Sequence, residues 1–534
     1  MKTRLLFIAL FLFSVVITSA QKGIRNNGAK MIVSANAILD INGDADYTNS
    51  TDGSDNGRID LDGKIKIEGN WVNNATSGNG LINTDTDGEI IFNGTTAQSI
   101  ESISADELIF EKMTINSGAI VELSETGFLT LTGDFTNNGT FTIKSTSLLD
   151  GGSFIDNGTI TGTGTNNVER YFTGSVSGTS PNGRWWYMSA PISDATSAVI
   201  HDLCTYYELY HWVEGTTNHG WNEITDNSTS LDVLTGYATR LDANRTVNFQ
   251  GALNTGSQSA TLYRTTGESF EGFNLVGNPY PSAIYWDDPN WTKTNIKTSI
   301  WYRTNGIFAI WNSGLGTGTN GGHPYIPPMQ AFWIRVEGGS PGTLGMNNDT
   351  RLHNDTITFF KNPEFDYLRL VAEKNENKDE ILFCFLDQAE DNVDGYDSEK
   401  FMTFGLRSPQ FYSFASSGEE LAINALPEID ENRSIPLGLK ADKETEYTIR
   451  ALDNYKFSDP AVKVYLEDKQ EGIYHNLLEY PEYKFVGIPG IQNNRFVLHF
   501  KTGETDLPEN MISNNLRIYS YQGRIIISGD ELSG

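Results

Sequence analysis

Between about Gly23 and Asn167, apolar and polar residues alternate in short bursts. Examples are Lys64-Ile65-Lys66-Ile67, Glu89-Ile90-Ile91-Phe92, Phe128-Leu129-Thr130-Leu131 and Thr140-Phe141-Thr142-Ile143. A period of two sends alternate side chains to opposite faces of a pleated strand, so each burst predicts a short, half-buried strand. Gly, Asn and Asp separate the bursts and supply the turn conformations that other residues resist. The string Gly69-Asn70-Trp71-Val72-Asn73-Asn74 is echoed by Gly133-Asp134-Phe135-Thr136-Asn137-Asn138-Gly139 and by Gly152-Ser153-Phe154-Ile155-Asp156-Asn157-Gly158. The last two copies start 19 residues apart, as do Gly69 and Gly88. A period near 20 predicts a β-solenoid, whose coils stack inward Ile, Leu, Val or Phe while Asn and Gly turn the corners. A β-sandwich with look-alike hairpins is the competing reading.

Past Asn167 the pattern changes. Nine of the ten tryptophans fall between Trp185 and Trp333, marking a separate aromatic-rich unit. Its predicted strands are Arg184–Ser189, Tyr206–Val213, Phe270–Val276, Ile300–Tyr302, Phe308–Trp311 and Ala331–Val336. Within it, Gly277, Asn278, Pro279 and Pro281 form a stiff turn at a strand end, because each proline fixes its own φ and restricts the residue before it. Beyond about His353 the chain gains Lys and Glu, and Tyr367–Val371, Glu380–Leu386, Tyr447–Ala451, Ala461–Leu466 and Arg495–Phe500 read as strands of a sandwich.

The predicted class is therefore all-β: N-terminal β-solenoid-like repeats, two β-sandwich-like modules and a partial C-terminal β domain. The expected divisions are 1–20 as signal peptide, 21–168 as repeats, 169–352 and 353–500 as the two sandwich-like modules, and 501–534 as linker and final hairpin. Lys2 and Arg4 precede an apolar run from Leu5 to Ile17, and Thr18-Ser19-Ala20 forms a small-residue cleavage site, so export is expected. No later run of about 20 apolar residues offers a membrane span.

Charge narrows the partners. The 534 residues carry 38 Lys plus Arg against 68 Asp plus Glu, a formal charge of −30. Such a field repels phosphate backbones, which excludes a nucleic-acid partner from the expectations. Solubility outside the cell accounts for the acidity, and cation binding is the sharper reading. Cys204 and Cys384 lie far apart, and Cys384 sits in the apolar run Ile381–Leu386, where a buried free thiol is favoured over a disulfide.

Catalytic strings fail their context. Gly338-Gly339-Ser340-Pro341-Gly342 satisfies G-x-S-x-G, yet Pro341 and Gly342 forbid the helix that a nucleophile elbow needs. Gly316-Thr317-Gly318-Thr319-Asn320-Gly321 satisfies G-x-G-x-x-G but runs into Gly322-His323-Pro324, so no helix end faces a phosphate. His211 and His219 could meet, but read first as surface or core histidines. A carboxylate pair for glycoside hydrolysis is defined by spatial separation and cannot be named from the sequence. No catalytic residue is assigned, and the chain is expected to be non-enzymatic.

Two ligand classes remain. Asn83, Asp85 and Asp87 place oxygens at alternate positions before Gly88, as in the first half of a calcium loop, although the twelfth position is Gly94 rather than Glu. Asp40, Asn42, Asp44 and Asp46 form a similar ladder, as do Asp391, Asp394 and Asp397, and solvated turns are the favoured reading of all three. Indole faces stack on sugar rings. Adjacent Trp185 and Trp186 would point one ring in and one out, and the outer ring with Trp291 or Trp311 could form a carbohydrate platform. Core packing is the competing role.

Several segments resemble those of large proteins exported by the type IX secretion system. Gly272–Asp288 looks like their G-[WF]-N-L-V-G-N-P-Y-P-S-A-I-[DY]-W string, and Ile326-Pro327-Pro328-Met329-Gln330-Ala331-Phe332-Trp333-Ile334 resembles the strand that follows it. Asp397-Ser398-Glu399-Lys400, Leu466-Glu467-Asp468 and Asn494-Arg495-Phe496-Val497-Leu498-His499-Phe500 resemble their D-[AS]-x-K, L-x-D and [DN]-R-F elements. The last has Asn494 where the family usually has Asp, which weakens the idea of a required Asp–Arg pair. Residues 515–527 look like the first hairpin of a truncated sorting domain. The resemblance implies an adhesin-like cell-surface or extracellular protein, with the type IX machinery and surface glycans or matrix as partners. A polysaccharide-binding or polysaccharide-degrading accessory role is the alternative.

Overall fold

The computed structural model describes residues 22–75, 81–82, 87–102, 107–146, 151–304, 306–339, 341–353, 364–403, 408–429, 433–502, 517–521 and 524–528. By contacts the chain divides into two units, one of residues 1–142 and 158–165 and one of residues 143–157 and 166–534.

The first unit is a β-solenoid of about five coils with three parallel faces. One face runs through Gly23–Asn27, Asp46–Asp52, Trp71–Asn74, Ala97–Ser102 and Ile120–Leu123. A second runs through Ile38–Ile41, Lys64–Ile67, Glu89–Phe92, Lys112–Ile115, Phe135–Asn137 and Ile160–Thr161. Short strands such as Lys30–Val33 and Arg58–Leu61, then Leu108–Phe110 and Phe128–Leu131, build the third. Residues in register stack into inward columns: Ile41, Ile67, Phe92 and Ile115 in one, Ile65, Ile90, Met113 and Phe135 beside it. Burying each of these side chains contributes about 1.5–3 kcal/mol, which is how strands of four residues persist.

The coil is longer than the echoes suggest. Glu89 faces Lys64 and Lys112, steps of 25 and 23 residues, and Trp71 faces Ile100, a step of 29. The repeated strings occupy different faces: Trp71 lies on the first and Phe135 on the second, so their spacing is not a whole number of coils. They mark the entry from a corner into a strand rather than a whole coil.

Polar residues also stack inside. Asn26, Asn49 and Asn73 are in register and buried, and Asn49 Nδ2 donates to Asn73 Oδ1 at 3.0 Å and to the Gly57 carbonyl at 2.7 Å. This ladder satisfies corner carbonyls that the parallel sheet leaves over.

The second unit is antiparallel in most of its pairings. One sheet joins Trp186–Met188, Tyr237–Leu241, Tyr207–Val213 and Gly220–Glu223. Another joins Phe273–Gly277, Ala331–Arg335, Ser299–Thr304, Ile307–Asn312 and Thr317–Thr319. Every strand predicted in the Trp-rich stretch is present within a few residues. The strands from Asp366–Lys374 to Gly490–Lys501 form one curled sheet, a near-barrel whose edge strands Ile473–Asn476 and Glu482–Gly487 approach each other. The His475 and Tyr483 rings meet there with centroids 5.3 Å apart. The 169–352 and 353–500 stretches share a core in which Phe273, Trp301 and Trp333 pack with Phe401, Cys384 and Ala422. Cys204 and Cys384 are free, and burial pushes the Cys384 thiol above its ordinary range. At the C-terminus Arg517–Tyr521 pairs antiparallel with Arg524–Ser528.

The proline-rich turn shows why its residues occur together. Asn278 is fully buried; its Nδ2 donates to the carbonyls of Ser282 (2.8 Å) and Pro327 (2.9 Å), and its Oδ1 accepts from Tyr280 N (3.0 Å). Phe273–Gly277 pairs residue for residue with Ala331–Arg335, so the two motifs of the family resemblance are halves of one knot. Just beyond, Lys293 Nζ lies 3.7 Å from the Trp286 ring centroid, and burial lowers its pKa to about 8 against the opposing pull of Asp287 and Asp288. A lysine with a depressed folded pKa binds fewer protons folded than unfolded between that pKa and the unfolded value of about 10.4, so stability rises across that window. We expect the wild type to gain on the order of 1 kcal/mol per pH unit relative to Lys293→Met between pH 8 and 10, read from urea melts.

Candidate functional site

The most ligand-like feature is an aromatic pocket of about 240 Å³ in the second unit, lined by Trp185, Tyr187, Tyr210, Trp221, Ala238 and Arg303. Strand periodicity builds it. Trp185 and Tyr187 are two apart and share a face, as do Tyr210 and Trp212 on the next-but-one strand. The strand between them places Ala238 directly opposite both Tyr187 and Tyr210. A small residue flanked by two large rings leaves a gap in the aromatic layer.

The gap has firm walls. Trp221 packs edge-on against Trp212 (5.6 Å) and Trp333 (5.7 Å), and Trp212 Nε1 donates to the Phe273 carbonyl at 2.8 Å. Trp185 stands 5.9 Å from Tyr210, and the Arg240 guanidinium covers it at 4.8 Å while Glu208 binds Arg240 through two hydrogen bonds of 3.0 and 2.6 Å. Trp185, Tyr210, Trp221 and Arg303 are all partly exposed, so the pocket opens to solvent.

Arg303 gives the pocket its charge. Among the described residues it has no carboxylate partner, unlike Arg240. Burial depresses the pKa of neighbouring Arg184, and the Arg303 charge depresses it further. Burial raises the Tyr187 hydroxyl despite the lowering effect of the same Arg303. Glu223 and Glu208 add negative charge near Tyr210.

The other candidates lie elsewhere. Trp186 packs on Phe172 at 5.4 Å and donates from Nε1 to the Thr173 carbonyl at 2.9 Å. Trp291 and Trp311 are 8% and 5% exposed, and their indole N–H groups go to the Tyr285 carbonyl and the Asp287 carboxylate. The structure therefore brings Trp185 to the pocket and leaves Trp186, Trp291 and Trp311 out of it. Sequence reading missed Tyr187, Tyr210, Trp221 and Arg303 because it weighed the adjacent pair Trp185-Trp186. The alternation Trp185-x-Tyr187 and Tyr210-x-Trp212 was the usable signal.

Of the calcium candidates, Asn83 and Asp85 lie outside the described residues, and Asp87 is exposed with Lys112 at 3.5 Å. Asp397 Oδ1 accepts from Ala425 N and Oδ2 from Asp394 N, both at 2.8 Å, so this carboxylate ties its loop to the strand Glu420–Leu426. Among the described residues no group of three or more His, Cys, Asp or Glu is placed to hold a metal. His219 bonds the Ser269 carbonyl at 2.7 Å, and burial lowers the pKa of His211. Ser340 lies outside the described residues. No helix among the described residues is long and apolar enough to cross a membrane.

The remaining resemblance motifs are structural joints. Lys400 pairs with fully buried Asp379, whose other oxygen accepts from Asn320 Nδ2 at 3.0 Å, while Glu399 receives Lys297 and Arg335. Arg495 pairs with Asp468 at 2.8 Å, Asp468 accepts from the Tyr483 hydroxyl at 2.9 Å, and both charged side chains are buried. The Asp–Arg pair absent from the local string at Asn494 is thus made between two strands.

Comparison with known proteins matches residues 62–500 to the family described as Domain of unknown function (DUF8693). The chain is 24% identical over 360 residues to the minor fimbrium subunit Mfa5 of Porphyromonas gingivalis, covering 59% of this chain and 28% of that protein. It therefore spans less than a third of that relative's length. No solved structure matches.

Proposed function

The chain belongs to the DUF8693 family, and from that premise we propose that it is a non-enzymatic adhesion protein of the outer cell surface, exported by the type IX system. The fimbrial relative is the observation that carries a surface structural or adhesive role. The five-coil solenoid serves as spacer or adhesive surface, its interior of stacked Ile, Phe and Asn suited to rigidity rather than catalysis. The C-terminal hairpin at Arg517–Ser528 belongs, in this reading, to a sorting domain, and residues 1–20 to a cleaved signal peptide.

A role as a polysaccharide-binding accessory is favoured by the pocket at Trp185 and Trp221, and it is compatible with adhesion where the surface that is gripped is a glycan. Export is tested in cells. Disrupting type IX components should abolish the surface-exposed, protease-accessible fraction of the full-length protein, with the chain accumulating inside; an unchanged surface level would reject the route.

A further inference from the structure

We propose that the pocket around Trp221 and Arg303 takes a single pyranose ring carrying a carboxylate, at the end of an acidic glycan. This rests on the reading of the chain as a surface protein that makes sugar contacts, and it names the class of sugar.

The geometry selects for size first. At about 240 Å³ the cavity falls below the range of about 300–1,000 Å³ that holds drug-sized ligands, so one ring fits and an extended oligosaccharide does not. The chemistry selects next. Trp185, Tyr210 and Trp221 are partly exposed aromatic walls around small Ala238, and such walls favour the apolar face of a sugar ring. The ring's carboxylate would meet Arg303, whose planar fork matches a carboxylate through two parallel hydrogen bonds.

The charge balance supports the choice. Arg240 is consumed by Glu208, whereas Arg303 has no such partner among the described residues, and Arg184 stands close enough for the two cations to repel. An anion relieves that repulsion. Glu223, exposed on the strand beside Tyr210, opposes it, so the preference depends on the Arg303 contact rather than on the general field. The overall charge of −30 acts weakly at the pocket, because salt screens exposed charges beyond about 8 Å.

The experiment is isothermal titration of the full chain with glucuronic and galacturonic acids and with glucose and galactose. The acids should bind at least about tenfold more tightly than the neutral sugars, the scale of one charge-assisted bond. Arg303→Gln, a partly exposed substitution that breaks no ion pair among the described residues, should erase the difference while the neutral sugars still bind. Trp185→Ala should weaken all four sugars. Equal binding of acids and neutral sugars would overturn the carboxylate assignment and leave the sugar-contact reading standing. Acid binding that survives both Arg303→Gln and Trp185→Ala would overturn the pocket itself. Binding of none of the four would overturn the assignment and the sugar-contact reading together.

Discussion

Arg495→Met is expected to destabilise the second unit by about 3–5 kcal/mol, among the largest single effects available in this chain. Asp468 has no exposed side-chain surface, and Arg495 reaches it through contacts of 2.8 and 3.1 Å. Removing the arginine strands a carboxylate whose remaining side-chain donor is the Tyr483 hydroxyl at 2.9 Å. The same guanidinium donates to the Val486 carbonyl at 2.8 Å, tying the strand Gly490–Lys501 to Glu482–Gly487. It also lies 4.9 Å from the ring centroids of both Phe485 and Phe496, so packing is lost along with charge. The loss is read from the urea midpoint. The paired change Asp468→Asn with Arg495→Met should cost less than the single change, because breaking one partner is worse than removing both. A single variant within 1 kcal/mol of wild type would contradict this account of how the near-barrel closes.

Asn278→Asp is the second large effect, expected at about 3 kcal/mol or more through unpaired buried groups. The amide nitrogen serves the carbonyls of Ser282, Pro327 and Ile326, at 2.8, 2.9 and 3.3 Å. A carboxylate there would set an oxygen against acceptors inside a site with no solvent exposure. The turn between Gly277 and Pro281 would lose its attachment to Pro327 while the Phe273–Gly277 ladder remained. Near-ultraviolet circular dichroism should therefore show the loss of ordered tryptophan signals before the far-ultraviolet strand signal changes. An unaltered near-ultraviolet spectrum at wild-type stability would show that the knot does not depend on Asn278.

The fold was legible wherever side-chain periodicity is local. Ile300–Tyr302 was expected and Ser299–Thr304 is found; Ala331–Val336 was expected and Ala331–Arg335 is found. The coil length was not legible, because Trp71 and Phe135 carry the same local string on different faces of the solenoid. A string records a corner and the strand it opens, and only pairing across coils records the period. The same limit hid the Asp468–Arg495 pair: residues 27 apart meet because Lys463–Asp468 and Gly490–Lys501 are neighbours, so the local string at Asn494 was the wrong place to look.

The pocket was half legible. Trp185 stood out as a tryptophan, but Tyr210, Trp221 and Ala238 reach it from three other strands of its sheet, and Arg303 from another sheet. Ala238 leaves no mark in a sequence, and its importance follows only from facing Tyr187 and Tyr210 at once.

The central claim, adhesion by a non-enzymatic surface protein, is tested most directly by displaying the full chain on a non-adherent strain and measuring retention under flow on acidic polysaccharide. Display is verified by surface proteolysis, and reducing ends are assayed in the effluent. The account predicts greater retention than the parent strain with no new reducing ends. Retention equal to the parent despite confirmed display, or release of reducing ends from the surface, would contradict it.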